Sequence, residues 1–155
     1  MIRRALTILL LCCLLPLLPA NASGKLETVD NLQQLFKQDD HRVLLLLVSQ
    51  PGCHYCELIK EEILQPMQVS GQYDTTTIIR VINIYAGESL KDFSGNHVDA
   101  TAFAKRYDAW ATPTLLFLDR NGNQIAEKMV GINTPEFYGY YVDKSLSTAQ
   151  ASINN

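Results

Sequence analysis

The sequence is short of cysteine. Four occur in 155 residues, and two of these, Cys12 and Cys13, sit in an apolar N-terminal stretch. Only Cys53 and Cys56 remain for the rest of the chain, and a single pair two residues apart closes almost no loop. A multi-bridge disulfide scaffold is therefore excluded, and function explains the pair better than stability. Tryptophan occurs once, at Trp110. His41 and His97 have no partners at metal-ligand spacing and read as surface residues. Lysine and arginine form no basic block, which argues against nucleic acid as a partner. The N-terminal apolar run, Ala5 to Leu18, has 14 residues, where a membrane span takes about 20.

That run has another reading. Arg3 and Arg4 precede it, Pro16 and Pro19 break it, and Ala20-Asn21-Ala22 supplies small residues for cleavage. Residues 1–22 are thus expected to be a secretory signal peptide cleaved near Ala22, with an uncleaved anchor as the lesser alternative. Cys12 and Cys13 would leave with it. Residues 23–155 then form one domain, with 11 basic against 16 acidic residues once Arg3 and Arg4 are gone. The expected location is periplasmic or otherwise exported.

Along this domain, apolar runs alternate with helical spacings. Leu26, Val29, Leu32, Leu35 and Phe36 predict a first helix ending near Asp39. Arg42 to Ser49 is almost all valine and leucine, a strand buried on both faces. Leu58, Ile59, Ile63, Leu64 and Met67 form a helical stripe that Pro66 kinks or ends. Thr75 to Tyr85 is β-branched and reads as a second inner strand. AGESLKDFSGNHV reads as a long polar loop before a short helix, Ala100 to Tyr107, capped by Asp99. Thr114 to Asp119 and Gln124 to Val130 flank RNGN, a hairpin signal. Thr134-Pro135 is expected to cap a last helix that turns Phe137, Tyr140 and Tyr141 inward. The order is α-β-α-β-α-β-β-α.

The chemistry sits in PGCHYCELIK, residues 51–60, between the first inner strand and the next helix. Three readings of Cys53-His-Tyr-Cys56 are open: a redox pair, a metal clip and a staple. One CxxC offers two ligands where a closed zinc site needs four, so no resident metal is expected and a soft-metal module is the weaker alternative. Haem attachment would need His directly after Cys56, and Glu57 stands there. No cofactor is expected.

Four features in order resemble the thioredoxin superfamily across the whole domain: VLLLLVSQ before Cys53-His-Tyr-Cys56, the strand ending Asn83-Ile84, Thr112-Pro113-Thr114 opening the hairpin, and Gly131 after it. The phrases DFSGNHVDATAFAKRY and ATPTLLFLDRNGNQI most resemble the exported, SoxW-like thioredoxin-related proteins. The resemblance implies an α/β thioredoxin fold, a central mixed sheet flanked by helices in a single domain. It also implies a helix starting at Cys53. Unpaired N–H groups at that end, with the helix dipole, favour a thiolate there, so Cys53 is the expected nucleophile and shielded Cys56 the resolving thiol. Pro113 is implied to be a cis proline facing the pair, with the Thr112 backbone aligning the substrate, Gly131 beside them and Trp110 bordering the groove. His54 and Tyr55 would tune the redox potential.

Departures from the thioredoxin pattern are plain. The buried acid six residues before the first cysteine is replaced by Leu47, its lysine partner on the next strand by Val81, and the tryptophan before the first cysteine by Gly52. Proton transfer to the resolving thiol then falls to water, Glu57, Glu61 or a substrate group. Tyr55 and Thr112 resemble the equivalents in periplasmic disulfide isomerases, which carry a dimerisation domain before the catalytic one; Ser23 to Val43 leaves room for one helix, so a monomer is expected. The sequence thus predicts an extracytoplasmic thiol:disulfide oxidoreductase that reduces or isomerises disulfides of exported proteins, fed by a membrane electron-transfer partner. A disulfide-donating oxidase is the nearest alternative.

Overall fold

A computed structural model describes residues 25–37 and 40–154. The expected signal peptide, with Cys12, Cys13 and the cleavage site, lies outside the described residues. The central sheet has the order β2-β1-β5-β6. β1 (Val43–Ser49) runs parallel to β2 (Thr77–Asn83) and antiparallel to β5 (Thr114–Leu118), which pairs antiparallel with the short β6 (Met129–Val130).

Every residue of β1 is buried, because the sheet is covered on both faces. Alternation divides them: Val43, Leu45 and Leu47 join one apolar layer, Leu44, Leu46 and Val48 the other. The first layer is closed by α1 (His54–Ile59), its continuation, and α4 (Tyr138–Ile153); the second by α3 (Ala100–Lys105). As expected from Asp99, its carboxylate caps α3 by accepting from the Ala102 N–H at 2.9 Å.

Pro66 neither ends nor simply kinks its helix. It has no N–H to give and its ring would strike the carbonyl four residues back, and the chain widens into a π-helical turn, Lys60–Leu64, just before it. The helix then continues as α2 (Gln65–Ser70) to Gly71.

The predicted first helix is not formed. Val29 N–H donates to the Val81 carbonyl at 3.0 Å and Val81 N–H to the Glu27 carbonyl at 3.1 Å, while Leu32 N–H and Lys91 N–H bond to Lys91 and Asp30 carbonyls. The segment covers the free edge of β2, and its helix-like spacing arises because it crosses from one apolar layer, holding Leu26, to the other, holding Val29 and Leu32. Asp39, the predicted end, lies outside the described residues.

The predicted polar loop also holds structure, a two-stranded ribbon of β3 (Ser89–Lys91) and β4 (His97–Asp99). Asp92 closes its turn: its Oδ1 accepts from Ser94 N–H and Asn96 N–H, and Oδ2 takes Arg106 at 2.8 Å, which holds the Asp92 carboxyl below its ordinary range. The RNGN hairpin turns as expected around Asp119, which accepts from Asn121 N–H and Asn123 N–H. Gly122 is required there, since a Cβ would stand 2.5 Å from the Phe93 ring and φ is +82°. Its second arm is strand only at β6, with one isolated bridge at Gln124.

The last helix begins with a 3₁₀ turn, Pro135–Phe137, and Thr134 makes no side-chain cap. Phe137, Tyr140 and Tyr141 do not face the core: all three are exposed, because Tyr138, Val142, Leu146 and Ala149 define the buried face of α4 and the other aromatics lie off it.

Candidate active site

The end of the sheet where β1 and β2 finish and β5 begins forms one rank of residues. Ser49 pairs with Asn83, and since Val48 pairs with Thr114, the next position opposite Ser49 is Pro113. Gly131 N–H reaches the Pro113 carbonyl at 2.8 Å and completes the rank. Sequence-predicted Pro113 and Gly131 are thus brought together beside the chain that leads from β1 into the cysteines. Pro113 is buried, Thr112 half-buried, and the peptide between them is cis.

From Ser49 the chain leaves the sheet and turns at Gly52, whose φ of +73° suits glycine, into α1. Cys53 and Cys56 are joined in a disulfide. Cys53 is the N-cap of α1: its Sγ accepts from the Cys56 N–H at 3.1 Å, and its carbonyl from the N–H groups of Cys56 and Glu57. A sulfur in that place meets a donor whether neutral or negative, and a thiolate there gains a charge-assisted bond. Cys53 is half-buried and Cys56 fully buried. Cys56 shares the buried face of α1 with Ile59, which packs in the layer of Leu47. The two sulfurs therefore differ in access, one turned toward the surface and one shielded.

His54 and Tyr55, between them, are both exposed, with ring centroids 5.8 Å apart. Glu57 is engaged with Lys60 at 2.7 Å, and Glu61 is exposed. Trp110, also exposed, donates from its indole N–H to Asp108 at 3.1 Å. Its carbonyl accepts from the Tyr85 hydroxyl at 3.3 Å. Tyr85, read from the sequence as the end of the second inner strand and given no part in the site, lies two residues beyond β2. It holds a left-handed φ of +59°, uncommon for a bulky residue, with its N–H on Thr101. Tyr55, Tyr85 and Trp110, each close to 60% exposed, stand at this end of the sheet. Among the described residues, no group of three or more His, Cys, Asp and Glu side chains is placed to hold a metal.

Residues 29–144 match the thioredoxin-like domain family. The chain belongs to that family. The rank of Pro113 and Gly131 beside a CxxC at a helix start is this thioredoxin-like domain's version of the fold, a mixed sheet flanked by helices in a single domain. No curated protein matches the sequence. Among solved structures, a thioredoxin-fold protein from Helicobacter pylori superposes with a TM-score of 0.55 at 18% identity, over 87% of this chain and 93% of its own. A protein described as DsbH oxidoreductase gives 0.52 at 17% identity, over 70% and 74%. At such identities the likeness is one of fold.

Proposed function

We propose that this thioredoxin-like domain is an exported thiol:disulfide oxidoreductase, of the SoxW-like kind, that works by dithiol exchange through Cys53 and Cys56. The observation that carries the reading is the asymmetry of the pair: Cys53 half-exposed at a helix N-cap with a backbone donor on its sulfur, Cys56 buried one turn further in. In the reduced protein the Cys53 thiolate attacks a substrate disulfide, and one substrate sulfur leaves as a thiolate. Cys56 then attacks the Cys53 sulfur of the mixed disulfide, closing the internal bond and releasing the second substrate thiol. Thr112 and Pro113 would present the substrate chain to Cys53, with Gly131 and Trp110 at the sides, and His54 and Tyr55 would adjust the potential. No cofactor enters this exchange.

The donor on Cys53 also favours a second reading. By stabilising the reduced form it makes the disulfide more oxidising, which suits an oxidase that donates its disulfide. In either direction the substrates are protein thiols and disulfides, the protein acts as a monomer, and a membrane electron-transfer protein supplies or removes electrons. Exchange with a model protein disulfide tests the assignment. Cys53→Ser should abolish it, and Cys56→Ser should accumulate mixed disulfides; exchange that survives Cys53→Ser would refute the nucleophile.

A further inference from the structure

Four residues before Cys53 stands a buried serine with nothing to bond. Ser49 closes β1, is fully buried, and its hydroxyl has no hydrogen-bond partner in the oxidised protein. Alternation along β1 puts its side chain on the face of Leu47, the face on which α1 packs Ile59; Cys56 lies one turn earlier on the same buried side of α1. Ser49 is thus the one polar residue of β1, and it lies on the face that α1 covers. Its neighbours offer it nothing: the Asn83 amide is spent on Glu88, and Pro113 has no N–H.

A hydroxyl left alone in a buried layer is disfavoured. In a protein whose disulfide opens and closes, it becomes useful in the open state, when Cys56 is freed as a thiol or thiolate. We propose that the Ser49 hydroxyl is the hydrogen-bond donor to the Cys56 sulfur in the reduced and mixed-disulfide states, in place of the acid that Leu47 displaces. The inference rests on the dithiol-exchange reading above. In the resolving step the Cys56 thiol gives its proton to water, and the thiolate, held by the Ser49 O–H, attacks the Cys53 sulfur. The Cys53–Cys56 bond forms as the bond from Cys53 to substrate breaks, and the electron pair leaves on the substrate sulfur, which takes a proton from water.

Among the described residues, Asp92 is the one buried charged residue, and it is held by Arg106 at the β3–β4 turn. To the layer on the face of Ser49, β1 and β2 contribute Leu47 and Val81, and β5 contributes Leu115. α4 contributes Tyr138, whose hydroxyl is likewise buried without a partner and whose burial pushes its pKa up, so it stays neutral. On the helix itself Glu57 and Lys60 pair with each other, and His54 is exposed. At the rim, Glu88 bonds to Asn83.

The test equilibrates the full chain with glutathione redox buffers, traps thiols, and reads the Cys53–Cys56 peptide by mass spectrometry. Ser49→Ala should move the equilibrium about tenfold toward the disulfide, or about 30 mV for this two-electron couple. In a Cys53→Ser background, Ser49→Ala should also raise the pH midpoint of Cys56 alkylation by about one unit, the same tenfold. Ser49→Thr, which keeps the hydroxyl, should retain both wild-type values. Unchanged values in Ser49→Ala overturn the proposal, and so does a shift found only in Tyr138→Phe. Neither readout needs a protein substrate. Failure of the wild type to exchange with protein disulfides would therefore sink the oxidoreductase reading while leaving the Ser49 result to be judged separately.

Discussion

Leu47 and Val81 stand opposite each other across the parallel pair of β1 and β2, both buried, in the apolar layer that α1 joins through Ile59. In the thioredoxin pattern these positions hold an acid and a lysine. Here the register joins two aliphatic side chains, so the acid and lysine pair has no counterpart at these positions. Loss of the proton shuttle is thus a paired replacement, which leaves no stranded charge behind.

Restoring one partner alone should be costly. Leu47→Asp would bury a carboxylate with no counter-charge and is expected to lower stability by about 3–5 kcal/mol near neutral pH. Burial raises the folded-state pKa of such a carboxyl above its unfolded value of about 3.9, so the penalty grows as pH rises between the two values. Urea melts should show the variant closer to wild type at pH 4 than at pH 8, and Val81→Lys in the same chain should recover part of the loss. An equal deficit at both pH values would mean that the introduced carboxyl reaches water.

Asp40 supplies a pH dependence in the native chain. Arg42, bonded to it through Nε and Nη2, holds its carboxyl at about 2, below the ordinary 3.8. A folded-state pKa lowered in this way gives stability that is fully present above the unfolded value and is lost as pH falls through about 2. The pair is partly exposed to solvent, so Asp40→Asn should cost about 1 kcal/mol at pH 7, and the gap to wild type should narrow between pH 4 and pH 2 in urea melts.

Trp110, proposed to border the substrate groove, does not support the fold. Its ring is exposed, and its indole bond is to Asp108 two residues away. Trp110→Ala should leave the urea midpoint within about 0.5 kcal/mol of wild type. It should raise KM for a protein disulfide several-fold while kcat stays near its original value, the split expected when uniform binding is lost.

The sheet and the cysteine turn were legible in the sequence because their signals are local: a β-branched or all-aliphatic run for each inner strand, glycine before a cysteine pair, Asp99 as a cap and Asn-Gly in a hairpin. What misled was periodicity without its partner. Leu26, Val29 and Leu32 repeat as a helix would, yet their backbone bonds go to β2 and β3, and nothing in the segment itself announces a sheet edge. The ribbon of β3 and β4 depends on the Asp92 carboxylate and on Arg106 fourteen residues away. Ser49 reads as the end of a strand, and only its burial without a partner on the face of Leu47 sets it apart. Tyr85 lies near Trp110 through a left-handed backbone that sequence pattern does not encode.

The central claim is that Cys53 and Cys56 form a working redox pair. The most direct test is the equilibrium reduction potential, by titration of the full chain against glutathione or dithiothreitol with thiol trapping of the Cys53–Cys56 peptide. A reversible couple between about −270 and −120 mV is the predicted result, with the reducing end marking a reductant that needs an electron feed and the oxidising end an oxidase or isomerase. A potential more negative than about −300 mV, the range of structural disulfides, would contradict the account and make the pair a staple.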